Sequence, residues 1–536
     1  MKIIRWGMII CILLITLPLI GKGEREVQQP PLPMRESLSS EKTFSIGLLK
    51  SDNQLFLNPL QATEATSLLV LDGLFEGLFN LNPVDGKPIP ALAQMVSLSD
   101  DELIWTITIK EQAYFSNGEE ITADTFVSSW VWLLEQARNN EGNTYLLSML
   151  DAIEGVQEFR KGMKSSSELG ITAEGKYTIR ITLTTPAPYL PNLFSMLPFS
   201  AIHPSFRNSK NQPLPTDMIT SGPFRITHYS ETHVLLEKHP WYVDYDNVPS
   251  DYIEFVFGQA EDIRAAYEQR AIHWALSYIP RELLHNPEDL RISPEYSTGF
   301  FYFSAKSGAY ANPNVRKALS LLIPWDAIRL QSGQLFPTSH LIPDHSSPMT
   351  PQTFNQEEQL QQALSLLSES GFPYGAGLPP LHMAIHRGSQ VEASAGRIAD
   401  IWSQTLGITV VTDTLPLGMY ARFPESTPYD FAFITWIGDF QNPLTFFHLW
   451  NSDSGYNLGN MHDKTYDALL AEAMSVPQDS QKGKTLLQQA EQYLLSNAAV
   501  FPLYHGITIH VILSDTVVGW YDNILDFHPI KYLGIQ

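Results

Sequence analysis

The chain has 536 residues, of which 44% are hydrophobic and 11% aromatic, so it can bury large cores. This length predicts about two to four domains in a globular protein. The net charge of −23, from 34 Lys and Arg against 57 Asp and Glu, argues against nucleic acid as a partner, because phosphates would be repelled. Cationic or zwitterionic ligands fit this charge better.

The amino-terminal segment predicts export. Lys2 and Arg5 precede an apolar run from Trp6 to Ile20, which is shorter than the roughly 20 residues a membrane-spanning helix needs and suits a signal peptide over residues 1–23. No Ala-x-Ala pattern marks a cleavage site, so an uncleaved anchor stays the alternative. Residues 24–41 are polar and rich in proline, which predicts a flexible tether.

The single cysteine, Cys11, lies inside the apolar run. It follows Ile10, and a lipoprotein signal has a small residue at that position, so lipidation is not expected. Cleavage would leave a mature chain without a disulfide, a thiol nucleophile or a thiolate metal site.

Strand and helix patterns follow the tether. Residues 103–109 (LIWTITI) alternate apolar and polar side chains, which predicts a half-buried strand. A turn at Asn117 and Gly118 leads to a helix that begins after Thr122. The apolar face of this helix comprises Phe126, Val127, Trp130, Val131 and Leu134.

A second unit runs from residue 381 to 414. It reads as a strand, then a helix that buries Ile398, Ile401 and Trp402 and ends at Gly407, then another strand. A strand, helix and strand of these lengths predict a parallel crossover. The chain therefore belongs to the α/β class.

Residues 435–450 (TWIGDFQNPLTFFHLW) place one carboxylate, Asp439, among large apolar side chains. Burial of a carboxylate is costly unless it is paired or hydrogen-bonded. A helix cap is the first candidate, but Asn442 followed by Pro443 marks the helix start better. An internal Lys or Arg partner, a surface position and a bound ammonium group stay open.

The sequence lacks the common catalytic and metal-binding motifs. It contains no G-x-S-x-G, H-E-x-x-H, phosphate-binding loop or G-x-G-x-x-G. His382 and His386 have a spacing that suits a metal on a helix, but they fall in a predicted strand, which favours ordinary histidines. The sequence predicts no catalytic residue, no metal site and no cofactor.

Five segments resemble the extracellular solute-binding proteins of ABC importers, in the class that binds oligopeptides, dipeptides and, in some members, nickel chelates. They occur in the order and spacing of that family. The segments are 71–93, 103–130, 220–244, 300–323 and 429–452.

This resemblance implies a two-lobed clamshell with an additional domain, in which the ligand is enclosed between the lobes. The signal peptide and the tether predicted above precede this folded part. Lobe I would combine residues 42–89, 188–296 and 506–536, the additional domain would be 90–187, and lobe II would be 297–505.

The resemblance also implies roles for residues around Asp439. In peptide-binding members the aspartate of a G-W-x-x-D pattern pairs with the ligand's α-ammonium, and Trp436 to Asp439 match it, with Thr435 in place of the glycine. Backbone groups near Ala65 and Ile437 would pair with an extended ligand, and Trp436 would wall a side-chain pocket or pack in the core.

Further ligand contacts are implied by position. Tyr145 and Tyr504 fall where relatives contribute cleft aromatics. Arg387 is the nearest match to the arginine that clamps the ligand's carboxylate in dipeptide binders. Oligopeptide binders have an arginine where this chain has Phe433.

The expected function is capture of short peptides and their delivery to a membrane permease with its ATPase, by an exported monomer at the periplasm or the outer face of the membrane. The alternatives are a non-peptide ligand such as a metal chelate or a cell-wall fragment, an exported hydrolase, and an adhesion protein that keeps the fold.

Overall fold

The structure is a computed structural model that describes part of the chain. Its residues are 42–50, 55–60, 62, 64–138, 145–208, 214–276, 279–304, 308–346, 349–351, 353–386, 391–415 and 429–536. The predicted signal peptide, the tether and Arg387 lie outside these ranges. Among the described residues, no helix has the length and apolar character needed to cross a membrane.

The described strands and helices alternate along the chain. The strands are β1 (Thr43–Leu49), β2 (Phe79–Leu81), β3 (Pro88–Pro90), β4 (Ala93–Leu98), β5 (Ile104–Ile109), β6 (Ile171–Ala173), β7 (Thr178–Thr182), β8 (Phe224–Tyr229), β9 (His233–Lys238), β10 (Tyr252–Gly258), β11 (Trp274–Leu276), β12 (Leu290–Phe303), β13 (Phe336–Pro337), β14 (Leu381–His386), β15 (Val410–Leu415), β16 (Phe431–Ile437), β17 (Val500–Ile512), β18 (Val517–Val518) and β19 (Gly534–Ile535). The α-helices are α1 (Ala65–Asp72), α2 (Ala123–Arg138), α3 (Val156–Arg160), α4 (Leu190–Leu193), α5 (Pro204–Asn208), α6 (Ala260–Glu268), α7 (Pro313–Leu321), α8 (Trp325–Gln331), α9 (Gln356–Glu369), α10 (Glu392–Leu406), α11 (Leu444–Phe447), α12 (Lys464–Met474) and α13 (Gln481–Ser496). Short 3-10 helices include Tyr145–Ala152 and His448–Trp450.

One large mixed sheet organises the molecule. Its strand order is β15-β14-β16-β12-β17-β11-β1-β10-β9-β8, and β13 pairs with β17. The long antiparallel strands β12 and β17 lie at its centre and are here called the central ribbon. On one side of the ribbon β14, β15 and β16 run parallel, and on the other side β1 runs parallel to β10 and β11.

The central ribbon joins the two halves of this sheet. Residues 290–294 of β12 pair with 507–511 of β17, residues 298–302 pair with 500–505, and the register shifts between Pro294 and Thr298. A shift of this kind bends a strand and increases its twist. Residues 295–297, called the junction, therefore lie where one half of the sheet turns into the other.

Separate apolar cores cover the two ends of the sheet. Phe301, Trp402 and their neighbours form the core beside β14 and β16. Phe44, Phe255 and their neighbours form the core beside β1 and β10. These cores are separate because each half of the sheet buries its own apolar side chains against its own helices.

A second sheet has the order β4-β5-β7-β6 and packs against α2. The side chains of β5 alternate between half-buried and buried, and Phe126 and Trp130 of α2 are buried, so both sequence predictions for this region are confirmed. The sheet falls within residues 90–187, the range expected for the additional domain. The domain boundaries themselves stay a prediction.

The predicted crossover at 381–414 is confirmed. β14 and β15 pair in parallel, and α10 lies between them. Ile398 and Trp402 are buried in the core, and Gly407 ends the helix with a φ of 70°, a backbone conformation that glycine adopts readily. The α/β class is likewise confirmed.

Candidate functional site

The carboxyl ends of β14, β15 and β16 meet at one edge of the large sheet, because these strands are parallel. In open α/β sheets ligands bind at this kind of edge. β16 ends at Ile437, which lies opposite Ser297 of the junction. Gly438 and Asp439 follow directly, so the predicted anchor lies beside the point where the two halves of the sheet join.

Asp439 is held in place by Thr445. The Thr445 hydroxyl donates to Oδ2 of Asp439 at 2.9 Å and accepts from the Asp439 backbone N–H at 3.1 Å. Thr445 is fully buried in the first turn of α11. The carboxylate therefore has a fixed position that is set by the helix behind it.

The sequence predicts a helix start at Asn442 with Pro443 as the first helical residue, and α11 begins one residue later, at Leu444. The Asn442 side chain accepts a hydrogen bond from the backbone N–H of Leu444 at 3.0 Å, and Pro443 precedes the helix. Asp439 is thus not the residue that caps α11. Its only described link to the helix is through Thr445, six residues later.

The charge of Asp439 is not balanced within the described residues. No nitrogen of a Lys, Arg or His in the described ranges forms an ion pair with it, and the groups that perturb it include no cation. Burial raises the pKa of Asp439 to about 7, and the bond from Thr445 lowers it less than burial raises it. A cation that entered this site would favour the ionised form.

Trp436 and Ile437 point to opposite faces of β16, since side chains alternate along a strand. Trp436 is half-buried and its ring meets the Tyr456 ring edge-on, with centroids 5.6 Å apart. Ile437 is 51% exposed. The face that carries Ile437 is therefore open to solvent next to Asp439.

Tyr504 lies on this open face. Its hydroxyl shares a hydrogen bond of 2.9 Å with the Thr435 hydroxyl. Tyr504 is opposite Gly299 of β12, where a Cβ atom would lie 2.6 Å from the tyrosine ring. The structure thus brings Tyr504 together with the segment that contains Trp436, Ile437 and Asp439.

The remaining predicted contacts are not brought to this segment by any described interaction. Ala65 is exposed at the start of α1. Tyr145 begins a 3-10 helix, but its side chain is outside the described part of the structure. Arg387 follows β14 and lies outside the described residues. The roles of these three residues stay predictions.

Sequence reasoning missed three residues near the site. Thr445 supports Asp439, and its place in the first turn of the predicted helix was the available signal. Glu295 and Ser297 belong to the junction, where the Ser297 hydroxyl donates to Oε2 of Glu295 at 2.5 Å. No local pattern marks these two, because their importance comes from the pairing of distant strands.

A separate cluster offers donor atoms for a metal ion, since potential ligand atoms of His510, Asp526 and His528 lie within 4.8 Å of one another. However, Trp274 donates to Nδ1 of His510 at 3.2 Å, so Nε2 carries the proton that bonds Asp526 at 2.7 Å. A metal-bound histidine would need the opposite proton arrangement. Burial raises the pKa of Asp526, but hydrogen bonds from His510 and His528 lower it by more, to about 2. The cluster is therefore a hydrogen-bonded group that links β17, through His510, to the segment that contains Asp526 and His528.

Known proteins resemble most of the chain. The periplasmic oligopeptide-binding protein OppA of Salmonella typhimurium is 26% identical over 460 residues, which cover 82% of this chain and 83% of that protein. The structure of the Escherichia coli murein tripeptide binding protein MppA matches with a TM-score of 0.76 at 24% identity, over 93% of this chain and 99% of the other. Its unliganded open form matches with a TM-score of 0.64 at 23% identity, over 93% and 98%.

These likenesses confirm the two-lobed fold that the sequence predicts. The relatives named above are binding proteins. A family model for bacterial extracellular solute-binding proteins, family 5, middle region, matches residues 87–457. Because this match spans more than half of the sequence, the chain belongs to the bacterial extracellular solute-binding proteins of family 5.

Proposed function

We propose that this protein captures short peptides between its lobes by binding their free α-ammonium group at Asp439. The observation that carries the proposal is the state of this carboxylate, which is fixed by Thr445, perturbed by burial and without a cation partner among the described residues. A ligand ammonium would form a charge-assisted hydrogen bond there and offset the cost of desolvating the acid.

The end of β16 supports binding of an extended ligand. In the described part of the chain, β14 pairs with β16 only at Phe431 and Ala432, whereas β16 continues to Ile437. We expect a peptide to add as a strand along this continuation, since main-chain hydrogen bonds give affinity without reading side chains. Its amino terminus would then reach Asp439 just beyond the strand end.

The proposed role is transport without chemistry. The named relatives bind an oligopeptide or a murein tripeptide. We propose that this chain likewise acts as an exported monomer that passes its ligand to a membrane permease driven by an ATPase. Closure of the lobes would tell the permease that a ligand is bound, because we expect only the closed form to present both lobes to the permease together.

The test is the thermal shift caused by a pool of tri- to pentapeptides, beside the same pool after amino-terminal acetylation. A ligand at 100 times its Kd stabilises by about 2.7 kcal/mol, enough to move the midpoint. We expect a shift with the free-amine pool only, and no shift in the Asp439→Asn variant. Asn preserves the acceptor for Thr445 and removes the charge.

Asp72→Asn is the matched control. Burial raises the pKa of Asp72 to about 7 as well, but its Oδ2 accepts from the Ile530 backbone N–H, away from β16. This variant should keep the peptide shift. Equal shifts with free and acetylated pools would contradict the ammonium anchor, and no shift with either pool would favour a metal chelate or a cell-wall fragment as ligand.

A further inference from the structure

The junction of the central ribbon carries a second carboxylate, Glu295, beside the proposed peptide site. The backbone N–H of Gly438 donates to the carbonyl of Tyr296 at 2.8 Å, and Tyr296 directly follows Glu295. One hydrogen bond thus ties the segment that holds Asp439 to the segment that holds Glu295. Glu295 lies on β12, and Asp439 lies two residues after the end of the neighbouring strand β16.

Side-chain contacts fix the direction of Glu295. A Cβ atom at Gly506 of β17 would lie 2.7 Å from Oε2 of Glu295 and 2.0 Å from Oγ of Ser297. Glu295 and Ser297 therefore both point over Gly506, which has no side chain to fill this space. Tyr504, two residues before Gly506, lies near enough that the charge of Glu295 adds to the effect of burial in raising the tyrosine pKa.

Glu295 forms no ion pair with a Lys, Arg or His in the described part of the structure. Burial raises its pKa to about 7, and Asp526 adds to this rise, while the bond from Ser297 and the nearby His510 lower the pKa by less. Oε2 accepts from Ser297, and no hydrogen bond from a described residue reaches Oε1. The side chain is half-buried, so this oxygen can meet a ligand.

We propose that Glu295 binds a second cationic group of the ligand, so that the protein prefers peptides with a basic side chain near their amino terminus. This inference rests on the proposed function and names the substrate class of the same cleft. A half-buried acid gains most from a ligand that brings the missing charge, because pairing offsets the desolvation cost. The net charge of −23 favours the approach of such a ligand.

The test is calorimetric binding at pH 8, where both acids are ionised, of tripeptides that carry Lys at position one, two or three in an otherwise alanine sequence. Each is compared with the peptide that has norleucine at the same position. We expect the wild type to bind the Lys peptide at least tenfold more tightly at one position. Glu295→Gln should reduce this ratio to below threefold and leave the norleucine peptide unchanged.

The glutamine of Glu295→Gln can still accept the bond from Ser297, and an unchanged melting midpoint would verify its fold. Asp522→Asn is the control, since Asp522 lies outside the strands and accepts a hydrogen bond from Ser293 of β12 at 2.7 Å, and it should keep the wild-type ratio.

Two results would overturn the proposal, namely an equal ratio in wild type and Glu295→Gln, or no Lys preference at any position. In either case, the proposed function would remain supported if the Lys and norleucine peptides both bound the wild type and both lost affinity in Asp439→Asn. If the wild type bound no free-amine peptide, both proposals would fall.

Discussion

Asp439 and Asp72 are both acids with a raised pKa, but they differ in the partners that the protein provides for their charge. Burial raises the pKa of each to about 7. Asp72 accepts a backbone hydrogen bond from Ile530 and lies near the cation of Lys531, so the fold supplies its partners. Asp439 receives only the hydroxyl of Thr445 among described side chains. The unmet charge requirement of Asp439 is what a ligand can satisfy.

Peptide affinity should depend on pH through Asp439. In the free protein this acid becomes neutral below about pH 7, while the ligand ammonium needs the ionised form. We therefore expect the Kd to rise about tenfold for each pH unit from 7 down to 5, with proton release on binding. Calorimetry across this range measures it. A Kd that stays constant from pH 5 to 7 would contradict the anchor.

The raised pKa of Asp439 makes the unliganded protein more stable at low pH, whereas peptide binding is expected to be stronger at high pH. The native state binds the proton of Asp439 more tightly than the unfolded chain, so this contribution to the free energy of unfolding is complete below pH 4 and is lost as pH rises through about 7. Binding and stability of the empty protein thus favour different states of one carboxyl group.

At the scale of elements, the pairing of β12 with β17 in the central ribbon determines the position of the Tyr504 ring. Gly299 lies opposite Tyr504, and the ring occupies the space that a Cβ atom would need. This close approach lets the Tyr504 hydroxyl reach Thr435 on the next strand. A glycine is required here for contact between side chain and backbone, not for backbone conformation.

Gly299→Ala should therefore disturb the cleft. The new Cβ would lie 2.6 Å from the Tyr504 ring and 3.0 Å from that of Phe433, so Tyr504 must move away from Thr435. We expect a loss of about 1–3 kcal/mol in stability and weaker peptide binding. Denaturant unfolding and calorimetry measure these effects.

Gly396→Ala is the matched control for this substitution. Gly396 lies on α10, and no atom lies within 4 Å of its added Cβ. Alanine favours the helix, so this variant should gain about 0.5–1 kcal/mol and bind peptide as the wild type does. A similar loss in both variants would contradict the steric account.

Sequence patterns predicted the elements better than the site. Alternation in β5 and the helical spacing of Ile398 and Trp402 are local, so they could be read directly. The contact of Glu295 with Gly506 joins residues more than 200 positions apart and depends on a register shift in the ribbon. Such a register is set by tertiary pairing, and no local spacing encodes it.

At the scale of the molecule, the relative position of the lobes matters most for function. The structure matches the first MppA structure better than the unliganded open form of that protein. Ser148 and His448 share a hydrogen bond of 2.6 Å, and the proposed boundaries assign Ser148 to the additional domain and His448 to lobe II. This contact thus joins two residues that the proposed boundaries place in different units.

Opening of the lobes would break the bond between Ser148 and His448, so it should contribute to closure and hence to affinity. We expect Ser148→Ala to raise the peptide Kd about fivefold, since a buried hydrogen bond contributes about 1 kcal/mol, although Ser148 need not touch the ligand. Small-angle scattering should show that the radius of gyration of the wild type falls on peptide binding. In the variant the same fall should require a higher peptide concentration.

Ser250→Ala separates this effect from a general loss of stability. The Ser250 hydroxyl donates to the Leu533 carbonyl at 2.8 Å, and both residues fall in the proposed lobe I. This variant should lower the melting midpoint and leave the peptide Kd unchanged. If Ser148→Ala behaved in the same way, the contact with His448 would be structural only, and closure would have to be stabilised by contacts with the ligand itself.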